Sequence, residues 1–153
     1  MAHFLKGVKL VNATGATQEP VAKTLALYFA ADWCPDCRAF QPALNDFYAK
    51  VNEQSHRLDI VFVGSDATEE DQLAHFRDKQ GPWLMIPFND PLRNELKRKY
   101  GICAQKEIEA VGVANRINGI PSLVVVQSNG DVIDAAGADK VEASGVNAFN
   151  AWL

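Results

Sequence analysis

The chain has 153 residues, with 15 Lys plus Arg against 19 Asp plus Glu and a formal net charge of −4. Hydrophobic residues make up 48% and charged residues 22%, which excludes disorder as the main state, and the length gives a prior of one domain, 1–153. The acidic balance gives no reason to expect nucleic acid or an anionic membrane as partner, and no apolar run approaches the roughly 18 residues of a membrane span.

Met1 to Gly7 shows no basic start followed by a long apolar run, so no signal peptide is read. A reducing, cytoplasmic setting and a monomer are expected. There, paired cysteines serve catalysis or metal binding more often than structure.

Thr24–Ala31 is an apolar run of strand length. After Pro35, Phe40, Leu44, Phe47, Tyr48 and Val51 form the stripe of one helix face, and Pro42 is expected to kink this helix without ending it. Asp59–Gly64 is a second strand. Thr68 caps a second helix, with Glu69, Glu70 and Asp71 in its first turn and Leu73 and Phe76 inward. Asp90-Pro91 opens a third helix, which runs through Leu92 and Leu96 to Tyr100 and stops at Gly101. Ser122–Gln127 is a β-branched strand, Ser128–Asp131 a tight turn, and Val132–Ala135 a strand returning antiparallel. From about Asp139 to Trp152, Val146, Phe149 and Trp152 predict a C-terminal packing helix. This order predicts an α/β fold with a central mixed sheet flanked by helices on both faces.

Three cysteines are an odd number, far below the density of a disulfide-built scaffold. Two of them lie in Trp33-Cys34-Pro35-Asp36-Cys37-Arg38, where the first strand becomes a helix. That is the carboxyl end of a strand, where open α/β sheets bind ligands. The Cys-x-x-Cys spacing puts both sulfurs in the first helical turn, at a separation that suits a disulfide. The helix N-terminus stabilises a thiolate on the more exposed sulfur, expected to be Cys34. Cys34 then attacks a substrate disulfide, and Cys37 attacks Cys34 and releases the reduced product. Pro35 fits the helix start because its missing N–H has no intrahelical partner there. Asp36 opposes a developing thiolate, so it is expected to raise the Cys34 pKa and make the pair more reducing; its alternative role is proton acceptor for Cys37. A zinc site needs four ligands. Cys103, His3, His56 and His75 form no second pair at ligand spacing, so no metal is expected, and the histidines read as surface residues without a role. Trp33 is either packing or a contact for a protein partner.

These residues carry a family resemblance. Trp33-Cys34-Pro35-Asp36-Cys37-Arg38, with Pro42 five residues after the second Cys, resembles the thioredoxin superfamily, as does Gly119-Ile120-Pro121-Ser122 before a buried strand. The resemblance implies a thioredoxin fold and a cis Ile120–Pro121 bond whose loop faces the cysteines and lines the substrate groove. Leu27–Pro35 and Pro82-Trp83-Leu84-Met85-Ile86-Pro87-Phe88 are similar to the tryparedoxins and nucleoredoxins, over about residues 20 to 135. This closer resemblance implies a thiol-disulfide oxidoreductase with no bound cofactor beyond its own redox-active disulfide. A small dithiol such as trypanothione would be the electron donor, and disulfide proteins such as peroxiredoxins the clients. The alternative is a binding module of the same fold that holds a partner without turnover.

Tyr28 stands where thioredoxins carry a buried Asp, which leaves Asp36, Asp32 or water to take the Cys37 proton. Pro-Asp replaces the tryparedoxin Pro-Pro, and the same pair occurs in a small cytosolic thioredoxin-related family, which implies a thioredoxin reductase system as alternative donor. Ser65-Asp66-Ala67 lacks the Trp and Glu that flank trypanothione in tryparedoxins. The largest departure is an insertion, about 103–119, before the Ile-Pro pair. Ile108, Val111, Val113 and Ile117 predict a short amphipathic helix in it. It reads either as surface elaboration or as a border of the groove that shapes partner choice. Its Cys103 reads as a small buried hydrophobe or as a regulatory thiol.

Overall fold

The computed structural model describes residues 4–153. Met1, Ala2 and His3, part of the signal-peptide and histidine readings, lie outside the described residues. Five strands form one mixed sheet in the order β3-β2-β1-β4-β5. They are β1 (Thr24–Ala30), β2 (Leu58–Gly64), β3 (Leu84–Met85), β4 (Ser122–Val126) and β5 (Val132–Asp134). β1 pairs parallel with β2 and antiparallel with β4; β2 pairs parallel with β3, and β4 antiparallel with β5. The helices are α1 (Pro35–Val51), α2 (Glu69–Lys79), α3 (Leu92–Tyr100), α4 (Ile108–Val111) and α5 (Gly137–Ser144).

β1, β2 and β4 are buried along their whole length, because both faces of the sheet are covered. Their alternation sorts the two cores. Ala26, Tyr28, Ile60, Phe62, Leu123 and Val125 face the side packed by Phe40, Leu44 and Phe47 of α1, Phe76 of α2 and Val141 of α5. Leu27, Phe29, Val61, Val63 and Val124 face the side packed by Leu96 and Tyr100 of α3 and by Leu5 and Leu10. The expected helix stripe after Pro35 is therefore one packed face, and α1 runs through Pro42. Thr68 caps α2 by accepting from the Asp71 N–H at 3.1 Å. Asp90 accepts from the Leu92 N–H at 2.9 Å, and α3 ends on Gly101 at φ 67°.

Two expectations change. The C-terminal stretch is not one helix. α5 ends at Gly145 (φ 56°), and a 3-10 segment, Gly145–Trp152, follows. The three-residue spacing of Val146, Phe149 and Trp152 is the 3-10 period rather than the α period. Phe149 and Trp152 are buried, whereas Val146 is exposed. In the insertion, a 3-10 turn (Gln105–Glu107) leads into α4, a single helical turn. Ile108, Val111 and Val113 pack with Cys103 in a small cluster, but Ile117 is 74% exposed. Gly101 accepts from the Ile117 N–H at 2.6 Å, so the insertion leaves and rejoins the fold at one point.

Candidate active site

Cys34 is the N-cap of α1, with extended backbone (φ −86°, ψ 117°). Its Sγ accepts from the Cys37 N–H at 3.2 Å. The chain turns this way because β1 ends at Ala30 and Pro35, which lacks an N–H, occupies the first helical turn. The sulfur thus takes a backbone donor that the helix start leaves free. Cys34 is 6% exposed and Cys37 1%, and both are free thiols. Burial pushes the Cys37 thiol up, reinforced by its hydrogen bond with Cys34 and by smaller pushes from the charges of Cys34 and Asp36. Asp36 itself is exposed on the first turn of α1.

The Ile120–Pro121 bond is cis, and the Ile120 carbonyl lies 3.9 Å from Cys34 Sγ. Ser122 secures this loop by donating from Oγ to the Gly119 carbonyl at 2.6 Å. Trp33, Cys34, Pro35, Asp36 and Cys37 therefore form one turn, and Ile120 reaches it across 86 residues of sequence.

Trp33 is 38% exposed, and its indole N–H donates to the Ser65 carbonyl at 2.9 Å. The Lys106 Nζ sits 3.6 Å from the centre of its ring. Asp32 is held from three sides. Its N–H donates to Asp66 Oδ1 at 2.9 Å, its carbonyl accepts from Arg38 at 2.7 Å, and its carboxylate pairs with Lys79 at 2.9 Å. Asp66 is buried, and its second oxygen faces the His75 Nδ1 at 3.1 Å. His75 is thus a buried partner of the site loop and not a surface residue; the acid-rich start of α2 hid its inward face. A cavity of about 340 Å³ lies beside this loop, lined by Asp32, Arg38, Gln41, His75 and Lys79 among others.

Tyr28 is buried, and its hydroxyl donates to Gln41 Oε1 at 2.8 Å. Burial first, then the charges of Cys37, Cys34 and Asp66, push this phenol up, so it keeps its proton. It cannot replace a buried carboxylate as base. Cys103 is fully buried, and burial raises its thiol; the placement matches a small core residue better than a regulatory thiol.

Sequence reasoning missed the anchor of the insertion. Glu107 accepts from the Ser65 hydroxyl, from the Ala104 N–H at 2.9 Å and from the Lys97 Nζ at 3.1 Å. No spacing rule links residues 65, 97 and 107; only the fold brings them together.

A family model described as Thioredoxin-like matches residues 22–132. Human nucleoredoxin-like protein 1 is 31% identical over 135 residues, which cover 85% of this chain and 57% of that protein, so the chain spans little more than half the relative's length. Among solved structures, thioredoxin from Wuchereria bancrofti superposes with a TM-score of 0.77 at 32% identity, covering 99% of this chain and 97% of that one. Tryparedoxin II complexed with glutathionylspermidine superposes with a TM-score of 0.71 at 25% identity, covering 92% and 90%. The chain belongs to the thioredoxin-like family and is similar to its nucleoredoxin and tryparedoxin members.

Proposed function

We propose that residues 1–153 act as one thioredoxin-like domain, a thiol-disulfide oxidoreductase that reduces protein disulfides. The observation that carries this reading is the Cys34 sulfur on the Cys37 N–H, opposite the Ile120 carbonyl. The Cys37 N–H is aimed at the Cys34 sulfur from the helix start, and a thiolate is the attacking species in thiol-disulfide exchange. Cys34 attacks one sulfur of a client disulfide. That S–S bond breaks, and the leaving thiolate takes a proton. Cys37 then loses its proton, attacks Cys34 and frees the second client thiol, leaving the Cys34–Cys37 disulfide. Two electrons and two protons pass to the client. Trp33, Pro35, Asp36, Ile120 and Pro121 frame the groove, and Asp36 tilts the couple toward reduction.

The donor we propose is a low-molecular-weight dithiol of the trypanothione type, in keeping with the glutathionylspermidine complex of tryparedoxin II. A thioredoxin reductase system is the second candidate. The proposed clients are cytoplasmic disulfide proteins such as peroxiredoxins. The test is insulin disulfide reduction driven in parallel by trypanothione, glutathione and thioredoxin reductase. Turnover with at least one donor, abolished by Cys34→Ser, is expected. No turnover with any donor contradicts the enzyme reading and leaves a binding module.

A further inference from the structure

The insertion ends up against the proposed active site, and its charges have an unusual arrangement. Glu107 is the lock. Its carboxylate holds Ser65, whose carbonyl takes the Trp33 indole N–H, and it holds the buried Lys97. Arg98 donates to the Val111 carbonyl at 2.8 Å and Arg116 to the Cys103 carbonyl at 3.0 Å, tying down the rest of the segment. The 3-10 turn is therefore fixed at both ends, and Lys106 on it stands over the Trp33 ring.

The Lys106 ammonium has no carboxylate partner among the described residues. Of the other charges around Trp33, Lys79 and Asp32 neutralise each other. Arg38 donates to the Asp32 carbonyl and forms no ion pair among the described residues, and Asp36 is exposed on the same turn. Lys106 and Arg38 are thus two cations near Trp33 without an acid partner among the described residues, in a chain whose net charge is −4. A ring face attracts the cation but leaves its N–H donors open to an anion.

We propose that the insertion is a fixed wall of the substrate groove, that Glu107 is its positioning residue, and that Lys106 selects disulfides flanked by an acidic residue. This rests on the oxidoreductase reading and adds a substrate class to it. The exchange itself is unchanged: one peptide S–S bond is reduced to two thiols as Cys34 and Cys37 are oxidised.

The test uses the reduced full chain and two short disulfide-linked peptide dimers, identical except for Glu or Lys beside each cysteine. Released peptide thiol is followed over time. The wild type is expected to react about two- to five-fold faster with the Glu peptide at low salt, the range of one exposed ion pair, and the ratio should fall toward one at high salt. Lys106→Glu reverses the ratio, and Lys106→Arg keeps it. Lys9→Glu, which changes net charge equally at an exposed position, leaves it in place. Glu107→Gln lowers the ratio and increases acrylamide quenching. That quenching reports Trp33, because Trp83 and Trp152 are buried. Equal ratios in wild type and Lys106→Glu, or a wild-type preference for the Lys peptide, overturn the proposal. Reaction with neither peptide overturns the oxidoreductase reading instead.

Discussion

Burial raises the Cys37 thiol, and the same burial makes the reduced protein sensitive to alkali. Below about pH 8, Cys37 and Cys103 keep their protons in both folded and unfolded chains, and pH has no leverage through them. Above the ordinary thiol value of about 8.5, the unfolded chain ionises while Cys37 keeps its proton, so the folded state loses stability as pH rises. Cys103 is raised for the same first cause and adds to the loss. Urea midpoints of the reduced protein should fall between pH 8 and 10, and the fall should be smaller in Cys37→Ala. A flat profile in the reduced wild type would contradict this. Asp36 adds its negative charge to the push on Cys37. Asp36→Ala should make the couple more oxidising, by on the order of 10–30 mV; an unchanged potential in equilibration with glutathione would remove Asp36 from the tuning.

At the scale of elements, α1 and the insertion do different jobs. α1 supplies the helix start under Cys34 and a packed stripe from Phe40 to Val51 that holds it. The insertion is held by a small apolar cluster around Cys103 and by polar ties to the rest of the fold. Lys97 is fully buried against Glu107, which is 18% exposed. Removing only the acid strands a buried cation. Glu107→Ala should therefore cost about 2 to 3 kcal/mol in urea denaturation, somewhat below the cost for a fully buried pair. Adding Lys97→Met should recover part of it, since two apolar groups leave no stranded charge. Equal loss in the single and double variants would show that the pair does not carry the anchor.

At the scale of the whole molecule, β1 ends where α1 begins, and the cis Ile120–Pro121 loop before β4, its sheet neighbour, meets that turn. Much of this was legible in the sequence. Apolar runs of strand length gave β1, β2 and β4, because strands buried on both faces are nearly continuous in hydrophobicity. The Cys-Pro-Asp-Cys turn was legible because cap, proline and spacing are local. What stayed hidden is non-local. Val11 pairs with Met85 beside β3 through N–H bonds of 3.1 and 2.9 Å, from a stretch with no strand pattern. His75 turns inward to Asp66, and Glu107 reaches Ser65 across 42 residues. Such polar contacts follow from the packed fold and leave no period in the chain. The 3-10 end was visible in its three-residue spacing but is easily read as an α-helix.

The proposed chemistry has Cys34 attack and Cys37 resolve. Its most direct test is Cys37→Ser, reduced, mixed with a disulfide substrate and weighed intact. A stable mixed disulfide on Cys34 is expected, with a mass gain of one substrate half, absent in Cys34→Ser and transient in the wild type. No adduct on Cys37→Ser, or an equal adduct on Cys34→Ser, would contradict it.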